Sequence, residues 1–172
     1  LARARLLDRK GEAAASSKEY EELGAFAGKA AAAAPADSPL RDSLERMMVT
    51  GLVGKAWALY GRAEKSRAPA DLEAAKQAFD RLPSETGTSA AGKAASLNGQ
   101  GGLLLLQGKA DEALRKFIEV EVTMFSAPEE VAHALWFKAQ ACEKLGNQAA
   151  RDQALKDLVQ YHPWSEWAAR AR

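Results

Sequence analysis

The sequence predicts an all-α fold, built as an α-solenoid of about four antiparallel helical hairpins with a short C-terminal cap helix. The composition is rich in alanine, leucine, glutamate, lysine and arginine, which favour helices, and poor in the β-branched residues that favour strands. Glycine and proline stand at the ends of amphipathic segments, where they terminate helices. The turn glycines Gly108 and Gly146 lie 38 residues apart, which indicates a repeating unit.

Each predicted hairpin has its own start and stop signals. Ser38 and Pro39 begin the second hairpin, and Ser126, with Pro128 and Glu129 behind it, predicts a capping box at the start of the fourth. Pro163 ends the fourth, since proline lacks the amide that a continuing helix needs. A unit of this size cannot bury its apolar face alone, so the units are expected to stack as one domain over residues 1–172. The predicted hairpins cover approximately residues 1–35, 39–83, 89–125 and 128–162, and the cap covers 164–172.

Large and small residues alternate within these units in a pattern that resembles the tetratricopeptide repeat family. The third unit carries the pattern at Leu97, Gly101, Leu104, Gly108, Ala113 and Phe117; the fourth carries it at Leu135, Ala139, Cys142, Gly146, Leu155, Leu158 and Pro163. The second unit matches in part, at Ala56, Leu59, Ala75, Phe79 and Leu82. The resemblance covers most of residues 40–163. Polar residues at Lys55, Gln100, Lys138 and Arg151 depart from it, and an extra loop, "RAPA", is expected to lengthen the second unit.

The resemblance implies a non-enzymatic scaffold whose first helices line a concave surface that binds another protein. The positions that would face the partner are Val53, Trp57, Tyr60, Asn98, Gly102, Leu105, His133, Trp136 and Gln140. Relatives that clamp a terminal carboxylate use lysines and asparagines, whereas this set contains only Asn98 of that kind, so an apolar or helical ligand is expected. Alternatively, Trp57 and Trp136 fill gaps between neighbouring repeats as ordinary core.

The ending "YHPWSEWAARAR" is similar to repeats in bacterial envelope proteins of this family. This similarity favours a periplasmic or envelope-associated location, with the cytoplasm as the alternative. Two further roles stay open: a structural subunit built permanently into a larger assembly, and a module that binds a small apolar ligand or a peptidoglycan fragment.

The charge balance and the few reactive residues do not favour nucleic-acid binding, a membrane span, a metal site or a catalytic pair. Twenty-four basic and 23 acidic residues give a net charge of +1, which does not indicate nucleic-acid binding. No apolar run approaches the roughly 20 residues that span a bilayer. Cys142 is the only cysteine and is expected to be buried as a small apolar residue, while Glu129 and Glu130 suit a helix N-terminus. His133 and Cys142 are predicted on opposite faces of one helix, so we expect no metal, no cofactor and no catalytic pair.

Two glycine-rich stretches suggest a nucleotide-binding regulator as a less favoured alternative. The first, Gly87–Ala94, has the spacing of a phosphate-binding loop, but Ala94 stands where a magnesium-binding hydroxyl belongs and a helix end precedes it. We therefore interpret it as a turn between repeats, with Lys93 in solvent. The second, Asn98–Gly102, also lacks a preceding strand. Its Gly101 is expected to allow the next helix of the hairpin to approach closely.

Overall fold

A computed structural model describes residues 1–172. The chain forms nine α-helices and no strand, which confirms the all-α prediction. The helices are α1 (Ala2–Lys10), α2 (Ala13–Ala33), α3 (Pro39–Ser66), α4 (Pro69–Glu85), α5 (Ala90–Leu106), α6 (Ala110–Thr123), α7 (Pro128–Lys144), α8 (Gln148–Tyr161) and α9 (Glu166–Ala171).

The chain divides into two compact units, Leu1–Gly92 and Lys93–Arg172. In unit 1, α1 packs on α2, α2 on α3, and α3 on α4. In unit 2, α6 packs on α7, α7 packs on α8, and α9 packs on both α7 and α8. Within each unit, most of these contacts thus join helices that follow one another in sequence. None of the nine helices combines the length and the apolar character required to cross a bilayer.

Most predicted helix ends coincide with local capping. Ser38 begins α3 by accepting a hydrogen bond from the amide of Arg41 at 3.2 Å. Ser165 begins α9 in the same way, through the amide of Ala168 at 3.1 Å. Gly146, just after α7, has a φ of 73°, a left-handed conformation that glycine adopts without steric cost.

The start of α7 and the loop before α4 differ from the prediction. The N-cap of α7 is Ala127 rather than Ser126, and it makes no side-chain cap hydrogen bond, so the predicted capping box is wrong. The first turn keeps Pro128 and two acidic residues, which favour a helix N-terminus without a cap. The segment "RAPA" is also not wholly a loop, because Pro69 is the first residue of α4.

Small residues hold the helices of unit 1 together. A Cβ on Gly51 of α3 would lie 2.5 Å from the backbone nitrogen and 2.7 Å from the Cα of Gly24 on α2, so the two backbones touch. Near this crossing, Tyr20 is buried with Ala4 and Ala58, and its hydroxyl donates to a carboxylate oxygen of Asp8 at 2.8 Å. The tyrosine thereby joins the first three helices.

In unit 2, aromatic rings make the contacts that hold the helices together. A Cβ on Gly101 of α5 would overlap the ring of Phe117 on α6, which confirms the expected close approach at this glycine. Phe117 is fully buried, and its ring stacks on that of Phe137 of α7 with centroids 5.3 Å apart. Helix α7 has nine buried residues among 17, so it is the central helix of this unit. One of the nine is Cys142, as predicted, and burial raises the pKa of its thiol.

Candidate functional site

In unit 1, the predicted site residues Val53, Trp57 and Tyr60 occupy successive turns of α3. Val53 and Trp57 are partly exposed, whereas Tyr60 is buried and its pKa is raised by that burial. The ring of Trp57 meets that of Phe79 on α4 edge-to-face at 4.9 Å and that of Tyr60 at 5.4 Å. Because Phe79 is fully buried, its ring holds the partly exposed indole of Trp57 in place.

On α5 of unit 2, the predicted residues Asn98, Gly102 and Leu105 are all buried. The side-chain amide of Asn98 donates to the backbone oxygen of Glu130 and to its carboxylate, each at 2.9 Å. These two bonds tie α5 to the first turn of α7. Asn98 therefore serves an interhelical contact, and the α5 residues offer little surface to a partner.

On α7, the predicted residues His133, Trp136 and Gln140 divide by exposure. His133 is buried, whereas Trp136 and Gln140 are partly exposed. Burial lowers the pKa of His133 well below its usual range, and the nearby Arg170 guanidinium lowers it further. The imidazole is therefore neutral at pH 7, and its ring stacks on Phe137 with centroids 4.6 Å apart.

Trp167 of α9 is a residue of this region that the sequence analysis did not select. Its ring lies parallel to that of His133, with centroids 3.9 Å apart and planes inclined by 14°, and 6.2 Å from that of Trp136. The Arg170 guanidinium lies over the indole ring, 4.5 Å from its centroid. The sequence offered one signal for this residue, a tryptophan in the short helix predicted near Ser165. The ring that it contacts on α7 is more than thirty residues away in sequence, so the pattern did not reveal the contact.

The glycine-rich segment Gly87–Ala94 connects two helices. Helix α4 ends at Glu85, Gly87 adopts a left-handed φ of 57° in the turn, and α5 begins at Ala90. Lys93 is exposed on the first turn of α5, and Ala94 is fully buried. A phosphate-binding loop follows a strand, whereas this turn follows a helix.

Two surface concavities lie away from the predicted residues. One, of about 540 Å³ in unit 1, lies at the turn between α1 and α2, beside Arg62, Lys65 and Ser66. The other, of about 370 Å³ in unit 2, is lined by Gly108–Glu112, Lys144 and Leu145. No group of three or more histidine, cysteine, aspartate or glutamate side chains is placed to hold a metal ion. The candidate site is thus a pair of exposed helix faces, on α3 and on α7, and not a cleft.

Comparison of the chain with protein-family models, with curated proteins and with solved structures finds no match in any of the three. The function is therefore argued from the geometry above.

Proposed function

We propose that this chain is a non-enzymatic binding module for another protein. In this proposal its hairpins form a solenoid of the tetratricopeptide type, closed by α9. Two features support it: helices that follow one another in sequence pack together, and Gly101 lies against Phe117 where the repeat pattern places a small and an aromatic residue. A solenoid presents a pre-formed surface, so its own ordering cost on binding is small.

One observation supports this function more than the others. In each unit a partly exposed tryptophan rests on aromatic rings: Trp57 on Tyr60 and Phe79, and Trp136 beside Trp167. Tryptophan supplies a large contact area, and Trp57, which two neighbouring rings hold in place, loses little entropy when a partner covers it. Two such rings are what we expect of the anchors of a binding surface.

The partner is proposed to present an apolar or helical segment. Asn98, the one residue of the predicted set suited to clamping a carboxylate, is buried and already donates to Glu130. The partly exposed residues that remain, Val53, Trp57, Trp136 and Gln140, carry no charge. Contacts with such a surface come mainly from the burial of apolar area, as when a helix lies in a groove.

The test is to replace Trp57 and Trp136 with alanine, singly and together. Partners that co-purify with the native chain are first identified by mass spectrometry, and their affinity for each variant is then measured by calorimetry. We expect each single variant to weaken binding roughly 30-fold or more, since hot-spot residues contribute at least about 2 kcal/mol. Trp164→Ala is the matched control, because Trp164 is 56% exposed but lies outside the predicted set. Unchanged affinity in the double variant, with helicity intact by circular dichroism, would show that the tryptophans are not anchors.

A second candidate is a structural subunit of a permanent assembly, and a different observation favours it. Large apolar side chains are exposed away from the tryptophans: Ile118 by 41%, Val122 by 68% and Phe125 by 82% at and after the end of α6, and Phe26 by 68% on α2. Exposed groups of large apolar side chains, such as the three at and after α6, mark interfaces. Cross-linking in native extract followed by gel filtration separates the two candidates. A permanent subunit elutes only in a large complex, whereas a transient module elutes largely alone.

A further inference from the structure

Helix α9 is joined to α7 mainly through one side chain. The indole of Trp167 covers the His133 imidazole at 3.9 Å, while Phe137 lies 6.5 Å and Trp136 6.2 Å from it. Ala168, the next residue, is fully buried, so a small residue fits where the α9 backbone meets the unit. We call the surface formed by His133, Trp136 and Phe137 the indole seat.

The indole seat belongs to the central helix of unit 2 and does not depend on α9 for its own support. Beneath His133, the ring of Phe137 stacks at 4.6 Å, and that of Phe117 stacks on Phe137 at 5.3 Å. Phe117 is itself packed against Gly101 and fully buried. The seat is thus the outer end of a column of rings that runs into the core of unit 2, and Trp167 is the last ring on it.

By contrast, α9 has little stability of its own. It comprises six residues, and a helix of that length does not persist alone in water. Its supports are the Ser165 cap, its packing against α8, the contact of Arg170 with the indole, and the seat itself. A short helix that rests on so few side chains opens at a much lower free-energy cost than the whole fold.

We propose that the indole seat binds a short helical segment of a partner protein, and that α9 occupies the seat as an internal competitor. The chemistry of α9 defines the segment: an aromatic residue, a small residue directly after it, and a basic residue three positions after the aromatic, as in Trp167, Ala168 and Arg170. Binding of such a segment requires that α9 leave, so the apparent affinity of the chain is the affinity of the free seat multiplied by the fraction of chains in which α9 is undocked.

This inference deepens the proposed function, since two residues of the predicted partner surface, His133 and Trp136, belong to the seat. The two proposals can nevertheless fail separately. Trp57 lies in unit 1, outside the seat, and its contribution to partner binding is measured without any change to α9.

The experiment uses the full chain and a fluorescein-labelled peptide with the sequence of residues 163–172. Trp167→Ala in the chain removes the internal ring, so we expect the peptide to bind this variant at least ten-fold more tightly than the wild type in fluorescence anisotropy. A peptide with alanine in place of the tryptophan that corresponds to Trp167 should not bind. Adding His133→Ala to the Trp167→Ala chain should abolish binding, because the alanine removes the ring on which the indole stacks.

Arg170→Ala supplies a second variant in case Trp167→Ala disturbs folding. Arg170 is largely exposed and holds the indole from outside, so its loss should weaken the docking of α9 and increase peptide affinity by a smaller factor. Equal binding to wild type and both variants, no binding to either variant, or binding that survives His133→Ala would each overturn the proposal. Dimers of the Trp167→Ala chain by light scattering, with no peptide binding, would also overturn it, because the occupant would then be a second copy of this chain.

Discussion

The central helices of the two units achieve close packing by different means. In unit 1, α3 approaches α2 until glycine backbones touch, and only five of its 28 residues are buried. In unit 2, α7 has nine buried residues of 17, and its neighbours are joined by stacked rings. Most residues of α3 are partly or largely exposed to solvent, whereas more than half of the residues of α7 are buried. The comparison shows that close helix packing is reached through backbone contacts in unit 1 and through stacked side chains in unit 2.

The two partly exposed tryptophans, Trp57 and Trp136, also differ in the rings that support them. Trp57 is held by Phe79, a fully buried ring on the next helix of its own hairpin. The ring nearest Trp136 belongs to α9, a short terminal helix. We therefore expect the surface on α3 to be permanent and that on α7 to depend on whether α9 is docked. The four predictions that follow run from the largest expected effect to the smallest.

Among the stacked rings of unit 2, we expect a substitution at Phe117 to lower stability most. We expect Phe117→Ala to lower the free energy of unfolding by about 3–5 kcal/mol, because it leaves a cavity between Gly101 and Phe137. Urea denaturation followed by circular dichroism measures the change. Val122→Ala, on the exposed side of the same helix, is the control and should change stability by no more than about 0.5 kcal/mol. Similar values for the two variants would show that the column is not the core of this unit.

At the crossing of α2 and α3 in unit 1, we expect a substitution at Gly51 to lower stability most. We expect Gly51→Ala to destabilise the chain by about 1–3 kcal/mol, since the new methyl group meets the backbone of Gly24, which cannot move aside. Gly61→Ala on the same helix is the matched control. Nothing lies within 4 Å of a Cβ at that position, so alanine should stabilise by up to about 1 kcal/mol. Urea midpoints that shift in the same direction for both variants would contradict the close crossing.

Docking of α9 should weaken in acid because of His133. Burial holds the pKa of His133 well below its usual value of 6.5, and Arg170 acts in the same direction. A histidine exposed by undocking binds a proton at a higher pH than the docked one, so docking is most stable above about pH 6.5 and weakens as the pH falls below it. Hydrogen exchange at the amide of Ala168 between pH 7.5 and 5, corrected for intrinsic exchange rates, measures this.

His133→Phe is the control for the pH effect, because phenylalanine keeps a ring under Trp167 and cannot be protonated. The burial-lowered pKa of His162 contributes to both chains equally. If acid weakens protection to the same extent in the variant, His133 is not the cause.

The smallest expected effect is that of nucleotide on the turn between α4 and α5. We expect magnesium-ATP to bind no more tightly than about 100 µM, which corresponds to roughly 5–6 kcal/mol, because a helix and not a strand precedes Gly87. Isothermal titration calorimetry of wild type and Lys93→Ala measures this. Tighter binding that disappears in Lys93→Ala would favour the nucleotide-binding regulator.

Much of the helix pattern could be predicted from the sequence. The start of α3 after Ser38, the end of α8 before Pro163 and the turn at Gly146 were all predicted, and so was the contact made possible by Gly101. The predicted N-cap of α7 is wrong by one residue, because Ser126 lies next to the actual N-cap, Ala127, and serine is a residue type that N-caps favour. The exposure of the site residues was not predictable in the same way: Asn98 and His133 are buried, and Trp57 and Trp136 are partly exposed.

The sequence by itself therefore determined the helical class, the positions of most turns and the close contact at Gly101. These features depend on capping, on proline and on left-handed glycine, which act within about one helical turn of the residue concerned. Only the tertiary structure decided which rings meet and which stay open to solvent. The contact between Trp167 and His133 joins residues on different helices, and burial is a property of all the helices that surround a side chain, which no local pattern records.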